Sequence, residues 1–286
     1  MNIRPSPIAG TWYPGNPERL EQTIIQYIDR VNTAVPPGKI WGLVVPHAGY
    51  RYSGQVAAHA FACLKGLQPD LIVVISPLHQ MHHASLLTTA HDAYETPLGV
   101  VEVDRAAVQQ VHQVLQKSGL GLTAVSHDHE HALEIELPFL QHVLGSFKLL
   151  PIMIRNQNPA VIQVLAQALA DTLSDRDAIL IASSDLSHFY PQQLAAEFDG
   201  EILRRLAAFD PHSILSAEEE HVGFACGRGA IAAVLWAARA LGANQVDILN
   251  QATSGDVTGK YDSVVGYGAA VIWENKTASV TIVENT

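Results

Sequence analysis

Short, wholly apolar runs that stop abruptly at polar residues constrain this chain more than any other feature. Residues 40–45, 71–76, 148–154 and 178–182 read IWGLVV, LIVVIS, KLLPIMI and AILIA. Runs this short and rich in β-branched residues, lying between helical patterns, are the mark of strands buried on both faces. Amphipathic helical spacing is found over 17–31, 55–64, 106–119, 130–145, 159–173, 192–209 and 229–241, with Pro138 expected to kink or break the fourth. The stretch 85–104 reads as strand, loop and strand, and 245–251 and 264–273 read as closing strands around the turn-rich SGDVTGKYDS. Residues 274–286 are expected to add a short edge strand or to fray. Strands alternating with helices predict an α/β fold, a mostly parallel or mixed sheet with helices on both faces. With no repeat, low-complexity tract or linker, residues 1–286 read as a single domain.

In such sheets ligands bind beyond the carboxyl ends of the strands, so the residues just after each run carry the functional information. After GLVVP comes His47; after LIVVISP comes His79; after AILIASS come Asp185 and His188. Cys226 stands in FACGRG, just before a helix, where the helix dipole and free N–H groups favour a thiolate. Taken singly, each has a plainer role: a hydrogen-bonded histidine at the rim, a small residue packed before a helix, a turn cap in SSDLS. Taken together, two imidazoles and a thiolate form a donor set for zinc, copper or ferrous iron, with a coordination position left open. Asp185 is placed to orient an imidazole, and His188 to act as general acid or base. In HDHEHALEIE, His127 and His129 read as solvated residues at a helix entry, whereas Glu130 and His131 are within reach of the pocket. Trp12, Tyr13, Tyr50 and Tyr52 read as loop aromatics that can wall it. His82 and His83 read as loop residues, and Cys63 as core packing.

Composition excludes several classes. A formal net charge of −11 argues against a general nucleic-acid binder. Two cysteines form no disulfide framework and point to a reducing, cytoplasmic setting. The first residues lack the apolar segment of a signal peptide, and no run is long enough for a membrane span. There is no GxxxxGK[ST], no strand-borne GxGxxG and no GxSxG.

The motifs AGTWYPG, PHAGYRYSG, SPLHQ, EHALEIELPFLQ, SSDLSHF and CGRGA, in that order from residue 9 to residue 230, resemble the Memo family, known in animals for a role in cell motility and in prokaryotes as AmmeMemoRadiSam system protein B. The resemblance implies a fold similar to that of the class III extradiol dioxygenases and a metal pocket at His47, His79 and Cys226, beside Asp185 and His188. It puts His188 where the dioxygenases keep an acid/base histidine, and Cys226 where they carry a glutamate ligand. Thiolate in place of carboxylate softens the site, invites copper and makes the ligand oxidisable, so ring cleavage is not implied. Gln80 also departs from members that have a second histidine there. The expected cofactor is one transition metal, iron(II) or copper ahead of zinc. The expected partners are radical-SAM and AMMECR-type proteins and a small-molecule or peptide ligand. The alternative is a binding module that keeps the pocket without the chemistry.

Overall fold

A computed structural model describes residues 1–276. In chain order the strands are β1 (Ile3–Arg4), β2 (Lys39–Val45), β3 (Leu71–Pro77), β4 (Leu86–Thr89), β5 (Ala93–Thr96), β6 (Gly99–Glu102), β7 (Leu122–Val125), β8 (Lys148–Ile154), β9 (Ala178–Ser183), β10 (His188–Tyr190), β11 (Gln245–Thr253) and β12 (Val264–Glu274). The main sheet runs β10-β12-β2-β9-β3-β8-β4-β7, with β11 also on β12; β1, β5 and β6 form a small separate sheet.

The four strongest apolar runs are the four central strands, and all their mutual pairings are parallel. Both faces of these strands are covered, which is why they read as continuous apolar runs. Along β3, Leu71, Val73 and Ile75 join one core cluster and Ile72 and Val74 the other. Helices Pro159–Leu173 and Arg228–Leu241 pack on the first face; Pro17–Ile28, Tyr50–Phe61 and Leu137–Leu144 pack on the second. Antiparallel pairings of β12 with β2 and of β4 with β8 make the sheet mixed. Gly42 is required on β2: a Cβ there would sit 2.8 Å from the Leu180 carbonyl oxygen and 3.0 Å from Val234. Without it, β9 and helix Arg228–Leu241 could not close on this strand.

Local chemistry sets the helix starts. Asn16 accepts a hydrogen bond from the Arg19 amide at 2.8 Å ahead of Pro17, and Asn158 caps Ala160 ahead of Pro159. Three expectations change. Helix 55–64 begins five residues earlier, at Tyr50, because Gly49 provides its N-terminal turn and Tyr50 finds a buried site. The segment 130–145 is helical only from Glu134, first as a 3-10 turn and then over Leu137–Leu144. Pro138 therefore sits in the first turn of that helix, where its missing N–H costs nothing, and residues 126–133 are freed to reach the site. The predicted turn SGDVTGKYDS holds a short helix, Ser254–Thr258, closed by a Thr253–Asp256 capping box. The expected terminal edge strand falls largely outside the described residues. Among those described, no helix is long and apolar enough to cross a membrane.

Candidate metal centre

Because β2, β9 and β3 are adjacent and parallel, their carboxyl ends open at one edge, with Val45 level with Ser183. His47 follows β2, Asp185 follows β9 and His79 follows β3. Cys226 arrives from the turn before helix Arg228–Leu241. One donor atom from each of His47, His79 and Cys226 lies within 4.8 Å of the others. That is close to what ligand atoms about 2.0–2.3 Å from a common ion require. Cys226 Sγ and His47 Nε2 are 3.2 Å apart.

The surrounding hydrogen bonds decide which nitrogen each histidine offers. Ser183 Oγ lies 2.6 Å from the Ala132 carbonyl, 2.7 Å from Glu136 and 2.8 Å from His47 Nδ1. A carbonyl only accepts, so the one Ser183 proton goes to Ala132. Glu136 Oε1 is a second acceptor facing that proton, and burial raises the Glu136 pKa; Ser183 therefore has no proton to give His47. His47 Nδ1–H then donates to the same oxygen, which leaves His47 Nε2 with its lone pair towards Cys226. Burial, with the nearby charge of His79, lowers the His47 pKa to about 3, so this imidazole is neutral, as ligation requires. Ser183 and Glu136 were not singled out in the sequence. The only signal there is the pair of carboxylates, Glu134 and Glu136, inside the apolar stretch ALEIELPF.

Glu130 performs the equivalent service for His79. It is 1% exposed and accepts from the His79 amide at 2.6 Å and from His79 Nδ1, the His131 amide and the Ala132 amide at 2.9 Å. Burial opposes its ionisation, but these hydrogen bonds and the charge of His79 prevail and hold its pKa near 2. The hydrogen bond to Glu130 in turn raises the His79 pKa, and Nε2 remains as the free donor. His131 stacks on His79 at 4.9 Å and lies 4.1 Å from the Trp12 ring. Burial lowers its pKa to about 4. His79, Glu130 and His131 thus form a second, overlapping donor group. His127 lies apart from both groups, against a small groove with Met81, His82 and Asp128, and the His82 and His83 rings stack on each other at 4.4 Å.

Among the described residues, Asp185 makes no carboxylate hydrogen bond to an imidazole. Its Oδ1 accepts from the His47 main-chain N–H at 2.8 Å, and its carbonyl accepts from the Cys226 amide at 3.2 Å, so it ties two of the three donor segments together. Burial raises its pKa to about 6. The thiolate expected at Cys226 is not favoured in the protein by itself. Burial and the Asp185 charge push the thiol well up, which outweighs the helix dipole; metal binding would have to displace that proton. Gly227 lets the turn approach β9, since a Cβ there would run into the Ser183 carbonyl and the Ser184 side chain.

His188, on β10, lines a cavity of about 670 Å³ together with His47, His79, His131, Asp185, Trp12 and Tyr52. Its buried Nδ1 has no hydrogen-bond partner, and Phe224 meets its ring edge-on at 5.5 Å. Of the four aromatics expected to wall the pocket, Trp12 and Tyr52 do so, whereas Tyr13 and Tyr50 are core residues.

The Memo-like protein family matches residues 4–271. The chain belongs to the Memo family. It is 35% identical over 278 residues to a MEMO1 family protein of Methanopyrus kandleri, covering 92% of this chain and 96% of that one. It is 37% identical over 273 residues to a MEMO1 family protein of Methanococcoides burtonii, covering 94% and 100%. Among solved structures, an uncharacterized protein, JW3007 from Escherichia coli K12, superposes with a TM-score of 0.56 at 14% identity over 82% of this chain and 100% of that one. At that identity the likeness speaks for the fold alone. The shared fold is a single α/β domain with a mixed sheet.

Proposed function

We propose that this Memo-family chain binds one transition-metal ion, iron(II) or copper ahead of zinc, through His47, His79 and Cys226, and acts on a small molecule held in the adjoining cavity. The observation that carries this reading is the meeting of two imidazoles that line that cavity, His47 and His79, with the Cys226 thiol. His47 is held neutral and turned Nε2-inward by Ser183, and His79 is turned by Glu130. An iron or copper ion in this set would supply a redox centre with open coordination positions. His188 serves as the acid/base, since its ring lines the cavity beside His47 and His79. Asp185 holds the backbones of the His47 and Cys226 segments in place and contributes negative charge beside the centre.

The alternative, a binding module without turnover, draws on the exposed aromatic rim: Phe189 is 74% exposed, and Trp12 and Tyr52 37% and 38%. Association with radical-SAM and AMMECR-type proteins belongs to the proposal and rests on the family resemblance. The test is anaerobic loading with iron(II) or copper(I), followed by elemental analysis. His79→Ala is expected to lose the metal, whereas His188→Ala keeps it and loses oxygen-dependent turnover. Metal retained in full by His79→Ala would overturn the assignment, and turnover unaffected in His188→Ala would remove that residue's role.

A further inference from the structure

The cavity has a charge character unlike the rest of the molecule. The chain carries a net −11, yet apart from histidines the only cation on the cavity lining among the described residues is Lys260. Lys260 is exposed and has no ion-pair partner among the described residues. Its main chain is held in place: the Lys260 amide donates to Thr258 Oγ1 at 3.2 Å, and that hydroxyl donates to the Ser254 carbonyl at 2.9 Å. The only carboxylate on the lining among the described residues, Asp185, is already engaged by the His47 amide.

The same lining carries apolar rings. Phe189 lines the cavity with its backbone in the left-handed region, at φ 64°, and the residue is 74% exposed. Left-handed backbone is strained for a bulky residue, and water over a phenyl ring is unfavourable. A fold that accepts both costs beside His188 has placed a ring where a ligand can cover it. Trp12, Tyr52 and Tyr267 line the same cavity.

We propose that the natural ligand of this cavity is a flat, apolar-bodied organic monocarboxylate, with its carboxylate at Lys260 and its body against Phe189, Trp12 and Tyr52. A phosphate monoester fits less well: recognition of its larger charge favours arginine forks, and no arginine lines the cavity. The inference rests on the reading of this cavity as the functional site. It does not depend on which metal binds, or on whether one does.

The test compares three probes on the metal-free full-length protein at pH 8 by calorimetry: 2-naphthoate, the neutral 2-naphthamide and the cationic 2-naphthylmethylamine. Leaving the metal out keeps the carboxylate from binding an ion directly and separates this outcome from that of the metal titration. Naphthoate is expected to bind about tenfold more tightly than the amide, and the amine most weakly, as one well-placed charge contact allows. Lys260→Met should abolish the preference for acid over amide while leaving amide binding in place. Phe189→Ala should weaken both. Equal binding of all three probes, binding of none, or a preference that survives Lys260→Met would overturn the proposal.

Discussion

Replacing Glu130 by Gln removes the carboxylate that holds His79 and the 131–132 backbone, and the cost can be worked out in two independent ways. By hydrogen bonds, the change leaves the His79 amide facing an NH2 group, a donor against a donor in a site 1% exposed. It also turns the remaining contacts into neutral ones. Losing a charge-assisted bond and stranding a buried N–H together cost about 3 kcal/mol. By proton linkage, a pKa held at about 2 instead of 4.5 also corresponds to about 3 kcal/mol, at ~1.36 kcal/mol for each tenfold in proton affinity. Because the folded pKa is depressed, this stability is fully present above the unfolded value near 4.5 and is lost as pH falls towards 2. Urea unfolding should therefore show Glu130→Gln about 3 kcal/mol less stable than wild type at pH 7. By pH 3 the part that comes from ionisation should have shrunk to about two fifths. Metal affinity should fall by about 10–100-fold, because the Nδ1 partner of His79 is weakened. Equal stability of the two proteins at pH 7, or a deficit that does not change with pH, would refute the reasoning.

Two further predictions concern the frame around the site. Arg4 is 2% exposed, bonds Asp128 at 2.7 Å and Glu134 at 2.6 Å, and donates to the Glu130 carbonyl at 2.8 Å. Arg4→Met strands two buried carboxylates and should cost about 3–5 kcal/mol in urea unfolding; a loss below about 1 kcal/mol would show that the pair is not coupled to folding. Asp199 holds the Ser187 amide at 2.8 Å while its Oδ2 is buried without a partner, and burial raises its pKa from 3.8 to about 6. A raised carboxyl pKa means the folded state is penalised as pH rises from about 4 through 6, by up to about 3 kcal/mol. Asp199→Asn should thus gain stability over wild type across that window and keep the gain at pH 7; a variant that parallels wild type throughout would contradict this.

The sequence reveals this fold to the extent that periodicity reports burial. The four central strands are apolar because both their faces are covered, and their bounds differ from the sequence reading by only a residue or so. The helices with a Pro or Asn at their start were similarly visible. Less legible were β7 and β10, four and three residues long, half-buried or exposed at the sheet edges, where neither alternation nor composition marks them. The start of the helix at Tyr50 was hidden because its first residue is an aromatic whose buried site exists only in the folded chain. At the site, the strand-end rule found His47, His79, Asp185 and His188, since parallel neighbours must open at the same edge. It could not find Ser183 or Glu136, because their role is a hydrogen-bond relay across 47 residues of chain. Nor could it show that burial outweighs the helix dipole at Cys226, since desolvation depends on tertiary packing.

The central claim is tested most directly by anaerobic calorimetric titration of iron(II), copper(I) and zinc into the wild-type protein and Cys226→Ser. The account predicts one ion per chain with iron(II) or copper(I), accompanied by proton release from the thiol, and an affinity at least about 100-fold weaker in the serine variant. Absence of binding by any of the three ions, or binding that is unchanged in Cys226→Ser, would contradict it.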